Sequence, residues 1–427
     1  MIDALLRRRI TKGGLTLRDA SGKEAVYGSG APRATMVLNR KGVLRRILRQ
    51  PEFELGESYV YGEWDTPDLL GLLELLRSNA PGPVTPFWQR RLRALLTFSN
   101  DLVRSRRNVA VHYDLDEPLF RAFLDRDMHY SCAYFRTPED SLEAAQAAKA
   151  ELIGRKLLLE PGQRVLDIGC GWGSLAMFLA TRYDVAVTGL TLSQEQHRVA
   201  CEEAKRRGLE GRVEFRLEDY REHEGSYDRV VSVGMFEHVG RDAFDVFFNR
   251  VRARLAAGGS ALVHTIGRPG PPLLATNPWI DRHIFPGGYI PSASEVLAPL
   301  ERSGLVLCDL EVWRRHYALT LHHWQQRFQR HREAFVRSKG ERFCRLWEFY
   351  LAACESAFAH GELEVFQFQI GTDQDALPLT RDYLYRDAPA ADDGQAESPQ
   401  RLSASRGASC SRCGDRSPAM LAPTSEP

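Results

Sequence analysis

Val165-Leu166-Asp167-Ile168-Gly169-Cys170-Gly171-Trp172-Gly173 is the stretch whose reading decides the fold. An apolar strand runs into a glycine turn, and residues 174–183 (SLAMFLATRY) follow with helical periodicity. Glycines let the backbone turn tightly and approach a ligand closely. The spacing is D-x-G-x-G-x-G, which differs from the G-x-G-x-x-G of dinucleotide folds. An acid two residues ahead of the first glycine suits a ligand with an amino acid end, whose ammonium needs an anion nearby. Around this stretch, strand patterns over 163–169, 185–192, 212–219, 227–234 and 259–266 alternate with helical ones over 174–183, 193–208 and 242–255. That alternation predicts a parallel α/β sheet. Upstream, Thr137-Pro138-Glu139-Asp140 predicts a helix start, with Thr137 as N-cap and Pro138 at N1, and the helix runs to about Leu157.

Residues 1–80 mix strand-like pieces (Leu15 to Arg18, Ala34 to Leu38) with a helical stretch near Leu69–Leu76, the makings of a small α+β N-terminal domain. Residues 79–86 (NAPGPVTP) read as a linker, followed by a basic helix to about Arg107. From about 108 to 386 the α/β pattern holds. After Asp387 no aromatic, Ile or Val residue occurs, so the tail is expected to be disordered. Cys410 and Cys413 in the tail have no second pair at metal-ligand spacing, and no metal site is expected.

The chain has 427 residues, 57 Lys+Arg against 56 Asp+Glu, and 8 Cys. That length suggests two or three units. So few cysteines exclude a disulfide scaffold and fit reduced thiols in a cytoplasm. No apolar run reaches a membrane span, and the N-terminus lacks a signal-peptide pattern. The net charge of +1 hides an asymmetry: residues 1–110 hold 19 basic and 11 acidic residues. Basic clusters there interleave with apolar residues, as in VLRRILRQ (43–50) and WQRRLRALL (88–96), a composition suited to an anionic bilayer surface. No nucleic-acid motif accompanies the charge.

The glycine stretch resembles motif I of S-adenosylmethionine-dependent methyltransferases. Asp219 stands where such enzymes place an acid near the adenine. Their ribose-binding acid is missing, because the second strand ends Gly189-Leu190-Thr191. A narrower resemblance accounts for the gap. HYDLDEPLFRAFLD, MHYSCAYF, LDIGCGWGSLA, GLTLSQEQ, VGMFEHVG, LVHTIG, HYALTLHHW and FYLAACESAF, in this order over about residues 108–370, resemble the cyclopropane-fatty-acyl-phospholipid synthases, which include the mycolic acid cyclopropane synthases. The resemblance implies a Rossmann-like class I methyltransferase domain with a mostly parallel seven-stranded sheet. It implies that Thr191 and Gln196 hold S-adenosylmethionine in place of the acid, with Tyr130, Ser131, Asp167, Gly169, Gly171, Gly173, Asp219 and Tyr220. It also implies that a bound bicarbonate is the base, held by Cys132, Glu237, His264, Tyr317 and the main chain at Ile266, with Cys354 lining or supporting the site.

The implied reaction adds a methylene across a cis double bond of a phospholipid acyl chain. A neutral alkene attacks a sulfonium methyl, positive charge develops on the chain, and a base removes a proton so that the ring closes. Such a reaction demands a dry slot, aromatic faces and a base held by fixed polar groups. The substrate lies in a bilayer, so residues 1–110 are expected to dock on anionic headgroups, with the protein cytoplasmic and peripheral at the inner face. Pairing of two copies is a competing use of that region. Competing activities are methylation of an unsaturated lipid without ring closure, methylation of a small amine, and noncatalytic lipid binding.

Overall fold

A computed structural model describes residues 2–80, 117–271 and 276–385. The expected linker beyond residue 80, the basic clusters from Arg90 to Arg107 and the tail with Cys410 and Cys413 lie outside the described residues. The chain up to Leu384 forms one compact unit.

Its main sheet has seven strands in the order β10-β11-β9-β8-β5-β6-β7. These are β5 (Arg164–Ile168), β6 (Ala186–Thr191), β7 (Val213–Leu217), β8 (Tyr227–Val233), β9 (Leu255–Gly267), β10 (Val306–Trp313) and β11 (Glu364–Gly371). The five strands from β9 to β7 pair in parallel, and β11 runs antiparallel between β9 and β10. The expected mostly parallel sheet is the one found. β5 is buried from Val165 to Ile168 and β8 from Val230 to Ser232, as central strands of a parallel sheet covered on both faces.

The helix expected to start at Thr137 instead spans Leu142–Lys156. Asp140 turns its carboxylate back onto the N–H groups of Arg136 (2.8 Å) and Thr137 (3.2 Å). That closes a separate turn, and Ser141, whose Oγ accepts from the N–H of Ala144, becomes the N-cap. The helix ends at Lys156, as expected.

At the front, β1 (Gly13–Arg18), β2 (Glu24–Ser29), β3 (Arg33–Leu38) and β4 (Trp64–Asp65) form a second sheet, ordered β2-β1-β3-β4. The sequence pattern marked β1, β3 and the Leu69–Ser78 helix. It did not mark β2 or the helices Ile2–Arg9, Val43–Arg49 and Pro51–Val60. Those helices are short, and their periodicity is diluted by arginine and glutamate.

The front sheet's Pro51–Val60 helix packs on the Glu341–Ala359 helix. Arg345 crosses between them, donating to the carbonyls of Tyr59 (2.7 Å) and Trp64 (3.0 Å), with its guanidinium 4.0 Å from the Tyr59 ring centre. Glu57 meets His283 at 2.7 Å. Gly56 lets the helices approach: a Cβ there would lie 2.6 Å from the Phe349 ring and 2.8 Å from that of Trp279. Gly56→Ala gains about 1 kcal/mol of helix propensity, but overpacking costs about 1–3 kcal/mol. A net loss of stability is expected in urea titration; an unchanged or higher midpoint contradicts the close approach.

Candidate functional site

A cleft opens at the carboxyl ends of β5, β6, β7 and β8, the edge where ligands bind in open α/β sheets. Its floor is the glycine turn. Gly169 (φ 83°), Gly171 (φ 55°) and Gly173 (φ 80°) all adopt the left-handed region. They divide the work. A Cβ on Gly169 would strike Met235, and one on Gly173 would strike the Phe215 ring at 2.4 Å. A Cβ on Gly171 would approach only the Gln196 amide, at 3.9 Å, so that position leaves the cleft open.

Tyr130, Ser131, Asp167, Gly169, Gly171, Thr191, Gln196, Asp219 and Tyr220 all line this cleft. Gly173 does not; it is the N-cap of the Ser174–Tyr183 helix and serves packing. The Thr191 hydroxyl lies 3.0 Å from Gln196 Oε1, so the two residues expected to replace the ribose acid are joined. Asp219 accepts from Arg221 through both carboxylate oxygens, at 2.8 and 2.7 Å. Asp167 is fully buried. Burial pushes its carboxyl up to about 7, against the nearby Lys149, and its Oδ2 has no protein partner.

Lys149 also lines the cleft, with Nζ 2.9 Å from Ser131 Oγ. Burial lowers its ammonium to about 8, opposed by Asp125, Cys132 and Asp167. His129, paired to Asp125 at 2.8 Å, lines it too and leaves Nε2 buried without a partner. Sequence reading missed both. The signal was present: Gln146, Lys149 and Lys156 share the buried stripe of the Leu142–Lys156 helix, where polar residues need partners.

The six residues expected at the reaction centre lie outside the cleft lining; Glu237 meets Ile266, Tyr317 reaches Glu237, Cys132 and Cys354, and His264 is within electrostatic reach of the cleft's Lys149. Glu237 follows β8 on a single turn, Phe236–His238. The N–H of Ile266, on β9, donates to Glu237 Oε1 at 2.6 Å, so this main-chain donor is engaged by the glutamate itself. Glu237 Oε2 is buried with no protein partner, and burial raises the carboxyl to about 7. Tyr317, on the His316–Lys339 helix, is within electrostatic reach of Tyr130, Cys132, Glu237 and Cys354. Burial raises the Cys132 thiol well above its usual range, so it stays an S–H.

The segment bearing Tyr130, Ser131 and Cys132 is irregular and pinned on two sides. Gln146 donates to the Ser131 carbonyl (3.0 Å), and the N–H of Ala133 donates to Thr320 Oγ1 (3.0 Å). His264 is 2 % exposed, and burial holds its imidazole well below the usual range. His316, His322 and His323 pack against Tyr134, Glu355 and Phe135 respectively.

A seven-stranded, mostly parallel sheet whose β5 ends in this glycine turn, with its cleft at the carboxyl edge, is the body of a class I S-adenosylmethionine-dependent methyltransferase. The chain belongs to the mycolic acid cyclopropane synthetase family, whose sequence model matches residues 100–368. It is 38% identical over 343 residues to the cyclopropane-fatty-acyl-phospholipid synthase of Escherichia coli strain K12, covering 79% of this chain and 88% of that one. It is 37% identical over 385 residues to the tuberculostearic acid methyltransferase UfaA1 of Mycobacterium tuberculosis, covering 86% and 90%. Among solved structures, mycolic acid cyclopropane synthase CmaA1 complexed with SAH and CTAB is 34% identical with a TM-score of 0.59, covering 62% of this chain and 98% of that one.

An Asp167 that meets the cofactor's ammonium must shed its proton on binding. Its carboxyl sits at about 7 without the cofactor, so affinity is expected to rise with pH below about 7 and to level above it. Asp167→Asn is expected to weaken binding about 10- to 100-fold, the worth of a hydrogen bond to a charge, and to abolish the rise. Calorimetric titration across pH 5.5–7.5, in steps of roughly half a unit about that carboxyl's range, reads both; a flat wild-type profile rejects the role.

Proposed function

We propose that this protein moves a one-carbon unit from S-adenosylmethionine onto the cis double bond of an unsaturated phospholipid acyl chain and closes a cyclopropane ring. The observation that carries this reading is the Glu237 carboxylate. It is buried and anchored through Oε1, its Oε2 has no protein partner, and it is within electrostatic reach of Tyr317, which also reaches Cys132 and the cleft-lining Tyr130. Methylation of a neutral amine needs no base held in place, whereas a carbocation route does, and the unpartnered Oε2 is a group that can hold one.

The cofactor cleft fits its ligand chemically. Asp167 offers a lone carboxylate oxygen to an ammonium, Lys149 offers positive charge to a carboxylate, and Thr191 with Gln196 offers paired polar groups to ribose hydroxyls. When bound, the cofactor supplies an electrophilic methyl. The reaction centre also fits a small oxyanion such as bicarbonate, which would supply the base. Glu237, raised to about 7, can donate as the acid through Oε2, and Tyr317 and His264 bring further donors.

The remaining residues protect positive charge on the chain. Tyr130 stacks on Trp324 (5.2 Å) and Tyr317 leans on Phe358 (4.7 Å), giving π-faces and excluding water. Cys132 as a neutral thiol offers no competing nucleophile.

Glu237→Gln is expected to abolish product while leaving cofactor affinity within about twofold, since Glu237 lies outside the cleft lining. Normal product from that variant rejects the site. Expression in a host without such lipids, with mass spectrometry and proton NMR of its fatty acids, tests the reaction. A chain one CH2 heavier with ring protons supports the reading. The same mass without a ring supports plain C-methylation, the reading favoured by the likeness to a tuberculostearic acid methyltransferase.

The proposal extends to docking on an anionic membrane through the front segment. No helix among the described residues is long and apolar enough to cross a membrane. Part of the basic charge is used internally, as in Arg40 with Glu63 and Arg46 with Glu54 and Glu63. On the Val43–Arg49 helix, Val43 and Ile47 face inward while Arg45 and Arg49 are exposed, one turn apart. Each basic group near an anionic surface is worth about 1 kcal/mol. Arg45→Glu with Arg49→Glu is therefore expected to cut co-sedimentation with phosphatidylglycerol vesicles by about tenfold or more at low salt. Unchanged binding rejects this face as the dock.

A further inference from the structure

Three neighbouring strands carry a polar row of which the reaction proposed above uses only His264. In the sheet register, Glu311 on β10 stands opposite Gln367 on β11, and Gln367 stands opposite His264 on β9. Directly opposite residues of an antiparallel pair share a face, so the three side chains form one line across the sheet. Lys156, the last residue of the Leu142–Lys156 helix, ends over this line with its side chain fully buried. Its Nζ pairs with the Glu311 carboxylate and donates to Gln367 Oε1 at 2.7 Å. Gln367 Nε2 lies 3.0 Å from His264 Nδ1.

The proton positions in this row follow from what each group can do. An ammonium has three donors and no acceptor, so the oxygen of the Gln367 amide must face Lys156. The NH2 end then faces His264 and can only donate. A donor opposite Nδ1 requires a lone pair there, so the imidazole proton sits on Nε2. Reversing the amide would set donor against donor at Lys156, and moving the proton to Nδ1 would set donor against donor at His264. Burial lowers the Lys156 ammonium and the Glu311 carboxylate paired with it opposes that shift, so the charged form is the one this pair favours. Nothing in packing alone calls for a glutamine inside the sheet with a lysine buried over it, since apolar residues would fill that volume without the cost of burying polar groups.

We propose that Lys156 and Gln367 are positioning residues that lock His264 in the Nε2–H tautomer, so that its free edge presents an N–H donor to the reaction's base. The relay begins at a carboxylate on the sheet's edge-side strand and ends at the reaction centre. It acts through the imidazole and touches neither cofactor nor substrate. The inference rests on the reading that His264 faces that base.

The test is nitrogen NMR of the full-length protein labelled with ¹⁵N-histidine, with the His264 signals assigned by their loss in His264→Asn. The wild-type protein is expected to show Nδ1 as the bare nitrogen and Nε2 as the protonated one. Gln367→Glu puts a carboxylate where the amide donor was, and a carboxylate can only accept. The proton of His264 is then expected to move to Nδ1. Product formation is expected to fall about 10- to 100-fold, the usual loss when the partner that orients a working imidazole is removed, while cofactor affinity stays within about twofold.

A wild-type His264 protonated on Nδ1 overturns the proposal without need of any variant. A Gln367→Glu protein whose His264 keeps its proton on Nε2 also overturns it, and so does one that switches tautomer yet turns over at the normal rate. Lys156→Met, which frees the amide to reverse, is expected to give a mixture of tautomers; a single unchanged tautomer there removes Lys156 from the relay. The underlying reading fails separately: turnover by the wild-type enzyme that ignores removal of dissolved carbonate rejects the bicarbonate base, while the tautomer measurement still decides the relay.

Discussion

Desolvation at the carboxyl edge of one sheet is the constraint on which the rest depends. β5 delivers Asp167, the turn after β8 delivers Glu237, and β9 delivers His264, each into surroundings that exclude water. Burial disfavours charge, so both carboxyls rise to about 7 while the imidazole drops. The two carboxyls are thus left ready to exchange a proton near neutrality, and the imidazole stays neutral. Open to water, the same residues would hold two plain carboxylates and a partly charged histidine.

Keeping that edge dry falls to the surrounding architecture. The Tyr130–Cys132 segment is clamped between two helices, and an aromatic cluster built on Phe120, Tyr130, Trp324 and Trp347 closes behind it. The front sheet joins in indirectly. Its Pro51–Val60 helix holds the Pro278–His283 helix through Glu57, His283 and Trp279, and the chain from there returns to donate the Tyr289 N–H to the Glu237 carbonyl at 2.8 Å. The front segment is therefore continuous with the wall of the reaction centre, whatever surface it also offers to a membrane.

Much of this was legible in the residue order. The alternation of patterns yielded the parallel sheet, and the acid-and-glycine turn yielded the cleft, because both depend on neighbours in sequence. Ordered segments such as YSCAYF and MFEHVG carried the family. Less was legible at the helix before β5. Thr137-Pro138 has every mark of a helix start, yet the Asp140 carboxylate accepts from the N–H groups of Arg136 and Thr137 and closes a separate turn, so the helix starts at Leu142 behind Ser141. Gly173 shows the same limit: its place in the motif suggested ligand contact, while the Phe215 ring, brought from β7, makes it a packing glycine.

The residue order on its own settled the five parallel strands, though not β10 and β11, together with the glycine turn and the list of reactive side chains, because strand periodicity, backbone freedom and chemical type are local properties. Packing settled which of those side chains meet and in what protonation state. Glu311, Gln367 and His264 lie far apart in the chain and come into one line through strand register, with Lys156 laid over them by the end of a helix. Ile266 could be named from the motif, but only the fold shows its N–H given to Glu237. Burial sets the charge on a carboxyl or an imidazole, and burial belongs to the assembled molecule.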